Sequence, residues 1–217
     1  MSSRWTRWSG LAAMLGGALW IPYGIFEMLE PWGTVTAYRE DVGYELITDA
    51  PLYVAYHLPG SLAVLLTSLG LLGVLALLRV SAAARTIRIG LILVYVALAL
   101  SILSLAGVIA LFDPLFTVGR IFGSLALGIA ALLVGMVALR GRLASGWTIA
   151  LLYLGLAGLF LFPLWPLVFA LQWLPEAAAA AFMVLFGLVW TVLGYMLWSE
   201  MGEELRHPAQ RRRGIEA

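Results

Sequence analysis

Three ionisable side chains stand inside long apolar stretches of this 217-residue chain: Glu27, His57 and Arg120. A carboxylate, an imidazole and a guanidinium can pair with one another, or together hold a small ligand. An Arg at the centre of a bilayer costs about 2.5–3.5 kcal/mol on insertion scales, so such charges are expected to be paired and functional. Glu27 is the expected partner of Arg120, with His57 within reach and Tyr23, Tyr53 and Tyr56 supplying hydroxyls. The candidate ligand-binding residues are therefore Glu27, His57, Arg120, Tyr23 and Tyr56, and an anionic or amphiphilic ligand would suit the Arg. The competing reading has Arg120 snorkelling to the headgroups while His57 bonds a carbonyl freed by a proline.

Absences narrow the chemistry further. The chain has no Lys, so it forms no Schiff base with retinal or pyridoxal phosphate. It has no Cys, which removes disulfides, thiol chemistry and Cys-ligated metals. Its 2 histidines are His57 and His207, too few within the spans for a bis-His haem. No Walker, G-x-S-x-G or H-E-x-x-H pattern occurs. One His and one Glu are too little to specify a reaction, so an intramembrane enzyme is the least favoured reading, and no cofactor or metal is expected. A net charge of +1 gives no case for nucleic acid.

The elements that carry these residues follow from composition. The chain is 63% hydrophobic with a mean hydropathy of +0.98, far outside the soluble range. A span takes about 20 residues. Spans are expected at about 9–29, 51–78, 87–112, 114–139, 146–171 and 176–198, leaving one membrane domain with an external loop at 30–50 and a tail at 199–217. Eleven of the thirteen Arg residues fall in alternate gaps, before the first span, after the second and fourth, and beyond the sixth. Eight of twelve acids, among them Glu27, Glu30, Asp49, Asp113 and Glu176, lie in or beside the other gaps. That segregation predicts an all-α bundle of six transmembrane helices, multi-pass in a plasma membrane, with both termini cytoplasmic. The basic flank at Arg4 and Arg7 followed by a long apolar run reads as an uncleaved anchor.

Local signals refine this frame. Asp113-Pro114 is expected as an N-cap followed by Pro at the first helical position, and Ser145 and Glu176 favour the starts of the last two helices. Small residues recur at heptad spacing in several spans, most fully at Ser124, Gly128, Ala131, Gly135 and Ala138. Helices in lipid associate by close approach over such residues, so the fourth span is expected to be central, with Leu132 on another face. Eight of nine prolines fall on the outer side of this topology, which makes the outer half kinked and partly polar. Residues 30–50 could form a short amphipathic helix, with Val35, Tyr38, Val42 and Leu46 on one face, or an acidic surface loop. Trp20, Trp32, Trp165 and Trp173 are expected as interfacial anchors. The Arg211-Arg212-Arg213 tail suits anionic headgroups, unless it only sets topology.

Two function classes remain. One is a binding or transport-like protein with an outward-facing pocket at Glu27, His57 and Arg120, its partners the lipid bilayer and a small-molecule or lipid ligand. The other is a non-catalytic accessory subunit packed against a membrane partner.

Overall fold

In an apolar medium every backbone N–H and C=O must find an internal partner, and long apolar runs can do so alone only as helices. The computed structural model describes residues 3–29, 35–78, 84–140, 148–159 and 176–206. These fold into α1 (Ser3–Leu29), a hairpin of β1 (Thr36–Arg39) and β2 (Tyr44–Ile47), α2 (Ala50–Leu78), α3 (Ala84–Ile109), α4 (Asp113–Arg140), α5 (Thr148–Leu159) and α6 (Glu176–Arg206). Five of the helices are long and apolar enough to cross a membrane, and the described part of α5 is shorter. The chain is a nearly all-helical membrane protein. Its helices run past the expected spans at Ser3 and Arg206, while residues 160–171 of the fifth span lie outside the described residues.

Close approach over glycine sets the helix pairs. α1 packs against α6 and α2, α3 against α4 and α2, and α5 against α4. Gly10 and Gly17 meet Gly194 and Gly187 across the α1–α6 seam, each pair seven residues apart. A methyl built on Gly17 would stand 2.5 Å from the Gly187 carbonyl oxygen, so the two backbones touch. On α4, Gly128 faces Gly158 and Gly135 faces Leu152, both on α5. Leu132, expected on another face, also lies against α5, beside Gly155; it is one turn from Gly128 and shares its stripe. α2 and α4 are the most buried spans, at 61% each against 33% for α3, so α4 shares the centre with α2. Trp20 is fully buried, in edge contact with Tyr23 and Phe186, and is not an interfacial anchor. Trp32, Trp165, Trp173, Ser145 and the Arg211-Arg212-Arg213 tail lie outside the described residues.

The segment between α1 and α2 corrects the expectation of a helix or plain loop, and departs from an all-α fold. β1 and β2 pair antiparallel, Thr36 opposite Ile47 and Arg39 opposite Tyr44. The turn closes when the Arg39 carbonyl accepts from the Gly43 amide at 2.9 Å, and Gly43 has φ +74°, which glycine adopts without steric cost. The i, i+4 apolar spacing that suggested a helix is outweighed by this turn and by Thr and Tyr in the strands. Val35 is buried with Tyr53, Val108 and Phe116, and Tyr44 meets Phe112 edge-on at 5.5 Å. The hairpin therefore caps the ends of α2, α3 and α4.

A tight turn joins α3 to α4 at the same end. Leu111 takes φ 54°, and the Phe112 amide donates to the Gly107 carbonyl at 2.9 Å, the bond that closes a helix C-terminus. The Phe112 carbonyl then accepts from Leu115 and Phe116, so Phe112 is the N-cap of α4. Asp113 is the first helical residue rather than the cap, which leaves its carboxylate for other partners.

Candidate functional site

α1, α2 and α4 bring the charged residues together beneath the hairpin. Arg120 stands on the buried face of α4 with Phe116, Gly119, Gly123 and Ser124. Its Nη1 donates to the Glu27 carboxylate on α1 at 3.1 Å, and also to the Tyr23 hydroxyl, which in turn donates to Glu27. Tyr23 and Glu27 are one turn apart, so a single helix face presents both to Arg120. The guanidinium carbon lies 5.6 Å from the Tyr23 ring centre and 5.2 Å from that of Phe116, within range of cation–π attraction. The side chains of Arg120 and Glu27 are 11% and 16% exposed. A pair this secluded is held by mutual compensation, because either charge alone would be costly. Arg120 does not snorkel.

A second carboxylate shares the site. Asp113 Oδ1 accepts from the Tyr53 hydroxyl at 3.0 Å, and Oδ2 from Thr117 at 3.2 Å. Asp113 precedes Arg120 by seven residues, two helical turns, and so lies on the same face of α4. Its sequence position beside Pro114 suggested a cap and hid this role. The seven-residue spacing to Arg120 was the readable signal.

His57 enters through ring contacts. Its imidazole is 4.5 Å from the Tyr53 ring and 4.5 Å from that of Phe116. Phe116 thus carries His57 on one contact and Arg120 on another. His57 Nδ1 and Arg120 Nε are buried with no hydrogen-bond partner among the described residues. Tyr56 points elsewhere and stacks on Phe26 at 5.2 Å. Of the five residues proposed from sequence, Glu27, Tyr23 and Arg120 form one hydrogen-bonded triad, His57 adjoins it, and Tyr56 does not join it. Asp113, Tyr53, Thr117 and Phe116 complete the cluster.

Two hydroxyls continue the polar surface inward, Ser61 on α2 and Ser104 on α3 being bonded at 2.9 Å. Among the described residues no group of three or more His, Cys, Asp or Glu is placed to hold a metal ion. The cluster can do two things chemically. It can hold a guanidinium in a low-dielectric interior, and it can offer unpaired nitrogens and two carboxylates to a polar guest. No family model matches this chain, and comparisons with curated proteins and with solved structures find no match.

Proposed function

We propose that the protein is a plasma-membrane, six-span binding or transport-like protein with both termini in the cytoplasm, taking a small ligand from outside at the Arg120–Glu27 site. The Arg segregation supports this orientation, and it puts the hairpin and the site at the external face. The observation that carries the binding reading is the pair of buried nitrogens, His57 Nδ1 and Arg120 Nε, that have no hydrogen-bond partner among the described residues and belong to one cluster. Buried polar groups are nearly always hydrogen-bonded, and exceptions point to water or a ligand.

The ligand's chemistry follows from charge. Arg120 alone would favour an anion, but Glu27 already neutralises it and Asp113 is close by. Two carboxylates against one guanidinium favour an uncharged or cationic polar head over an anionic one. The accessory-subunit reading gains no comparable support, because apolar helix faces such as that of Ile92, Val96 and Leu103 are what lipid itself covers.

The test uses the absence of native Cys. Thr117→Cys, placed beside Asp113, should react with a membrane-impermeant maleimide added to the outside of intact cells. A Cys at Gly43 in the hairpin should do the same, and one at Arg140 should not. Labelling of Arg140→Cys from outside would reverse the topology. No labelling of Thr117→Cys would remove the solvent-open site.

A further inference from the structure

The polar surface does not stop at Arg120. On α2, His57, Ser61 and Ser68 recur at i, i+4 and i+11, and on α4, Asp113, Thr117, Arg120 and Ser124 recur at i, i+4, i+7 and i+11, each set on one helix face. α2 and α4 run in parallel and are in contact, Val64 lying against the position of Gly123. Ser104 on α3 closes the third side through Ser61. Ser61, Ser68, Ser104 and Ser124 are all fully buried.

What these hydroxyls bond to is informative. Ser and Thr in helices usually satisfy themselves on the carbonyl three or four residues back. Thr67 does so on Ala63 and Ser101 on Leu98. Ser68 Oγ and Ser124 Oγ do not, and with His57 Nδ1 and Arg120 Nε they are buried without a hydrogen-bond partner among the described residues. Thr148 and Trp190 carry such atoms too, but on α5 and α6. Four orphaned polar atoms on two helices in contact, running from the charged site to about mid-helix, with Gly158 of α5 beside Ser124, call for a shared polar guest. Beyond Ser68 and Ser124 the same faces turn to Leu71, Leu75, Leu127, Ala131 and Val134, all buried and apolar. That packing seals the far half.

We propose that α2, α3 and α4 enclose a water-filled recess, blind at Leu127, that leads from the Arg120 site to Ser68 and Ser124 and admits small uncharged or cationic solutes in preference to anions. This rests on the solvent-open site proposed above and gives it depth and charge preference. A charged or polar solute can reach mid-membrane only along such a hydrated path, because the bare apolar interior offers it no partners. The charge preference comes from Glu27 on α1 and Asp113 on α4 facing the single guanidinium, with Glu45 on the hairpin adding a third carboxylate near the mouth.

Cys scanning tests this on the full chain in proteoliposomes. Ser68→Cys and Ser124→Cys are close in size to the native residues, and methanethiosulfonate reagents attack the thiolate, which forms only where water reaches. Both should react with the ethylammonium reagent about tenfold or more faster than Ala130→Cys and Ala131→Cys, buried beyond the recess. The ethylammonium reagent should also outpace the anionic ethylsulfonate reagent at Ser124→Cys. Rates at Ser68 and Ser124 no greater than at the alanine positions would overturn the recess. If Thr117→Cys still labels in that case, the outer site stands without it; if Thr117→Cys is also silent, the site falls with it. Faster reaction with the anion would overturn the charge preference alone. Hydroxyl-radical footprinting of the unsubstituted protein is independent of any variant: internal water should oxidise Phe116 while Leu75 stays protected, and equal protection of both counts against the recess.

Discussion

Replacing Gly17 by Ala should separate α1 from α6, and the structure sets the scale. The added methyl would lie 2.5 Å from both the Gly187 carbonyl oxygen and the Thr191 amide nitrogen, where ordinary contact begins at 3.4 Å, a shortfall of 0.9 Å. The obstructing atoms are backbone, so no rotamer change relieves them and the helix itself must move. A radial gap of about 0.5–1 Å forfeits a quarter to a half of each dispersion contact along the seam. Overpacking of this kind costs about 1–3 kcal/mol. The matched control is Gly90→Ala, whose methyl meets only the end of Leu75 at 3.3 Å and Val134 at 3.8 Å, both flexible side chains. Each substitution gains the same helix propensity, about 0.5–1 kcal/mol, so the difference between them isolates packing. Thermal unfolding in detergent should place Gly17→Ala below Gly90→Ala by several degrees, at about 2–4 °C per kcal/mol for a chain of this size. Equal midpoints would refute close backbone packing as the force that joins α1 to α6.

Four further outcomes follow. Gly128→Leu and Gly155→Ala should both destabilise, the first by forcing Gly158 away and the second because its methyl would stand 2.5 Å from the Leu132 amide nitrogen, overpacking that costs about 1–3 kcal/mol; an unaffected Gly155→Ala would contradict the place of Leu132 against α5. Tyr53→Phe should lower the thermal midpoint by removing a bond to a carboxylate, about 1.5–3 kcal/mol, while Tyr56→Phe should leave it unchanged. In the exposed hairpin the Arg39 guanidinium, bonded to Asp41 at 2.8 Å, holds that carboxyl below its usual 3.8. A depressed folded value means the contact is present above the ordinary carboxylate range and is lost as pH falls through the lowered one; the carboxyl carbon shift of Asp41 should titrate low, and Arg39→Ala should return it to normal. Reporter fusions after residues 45 and 142 should report opposite sides of the membrane, and the same side for both would break the span count.

Much of this was legible because lipid allows few solutions. Arg120 and Glu27, each inside an apolar run, had to pair or surface, and Tyr23 sits one turn from Glu27 on the same face. The Tyr53 hydroxyl was expected near the site, but its partner Asp113 was not legible, because Asp113 beside Pro114 looks like a helix cap until Phe112 is seen to cap instead. The hairpin escaped because its apolar residues also fit a helical period and only Gly43 marks the turn. Leu132 was misplaced for a different reason. Small residues mark a seam, but Leu132 enters this one with its backbone and Cβ against Gly155, so the mark sits on the α5 glycine and not on Leu132.

The centre of this picture is a guanidinium held inside the bundle by a carboxylate from another helix, and a double-mutant cycle on Arg120 and Glu27 tests it most directly. Arg120→Leu alone leaves Glu27 buried and uncompensated, a loss of about 3–5 kcal/mol. The pair Arg120→Leu with Glu27→Leu should be more stable than Arg120→Leu alone, with a coupling energy of about 0.5–3 kcal/mol. Strictly additive effects, with the double variant the least stable of the four, would mean that Arg120 and Glu27 do not hold each other and that the site is not built around them.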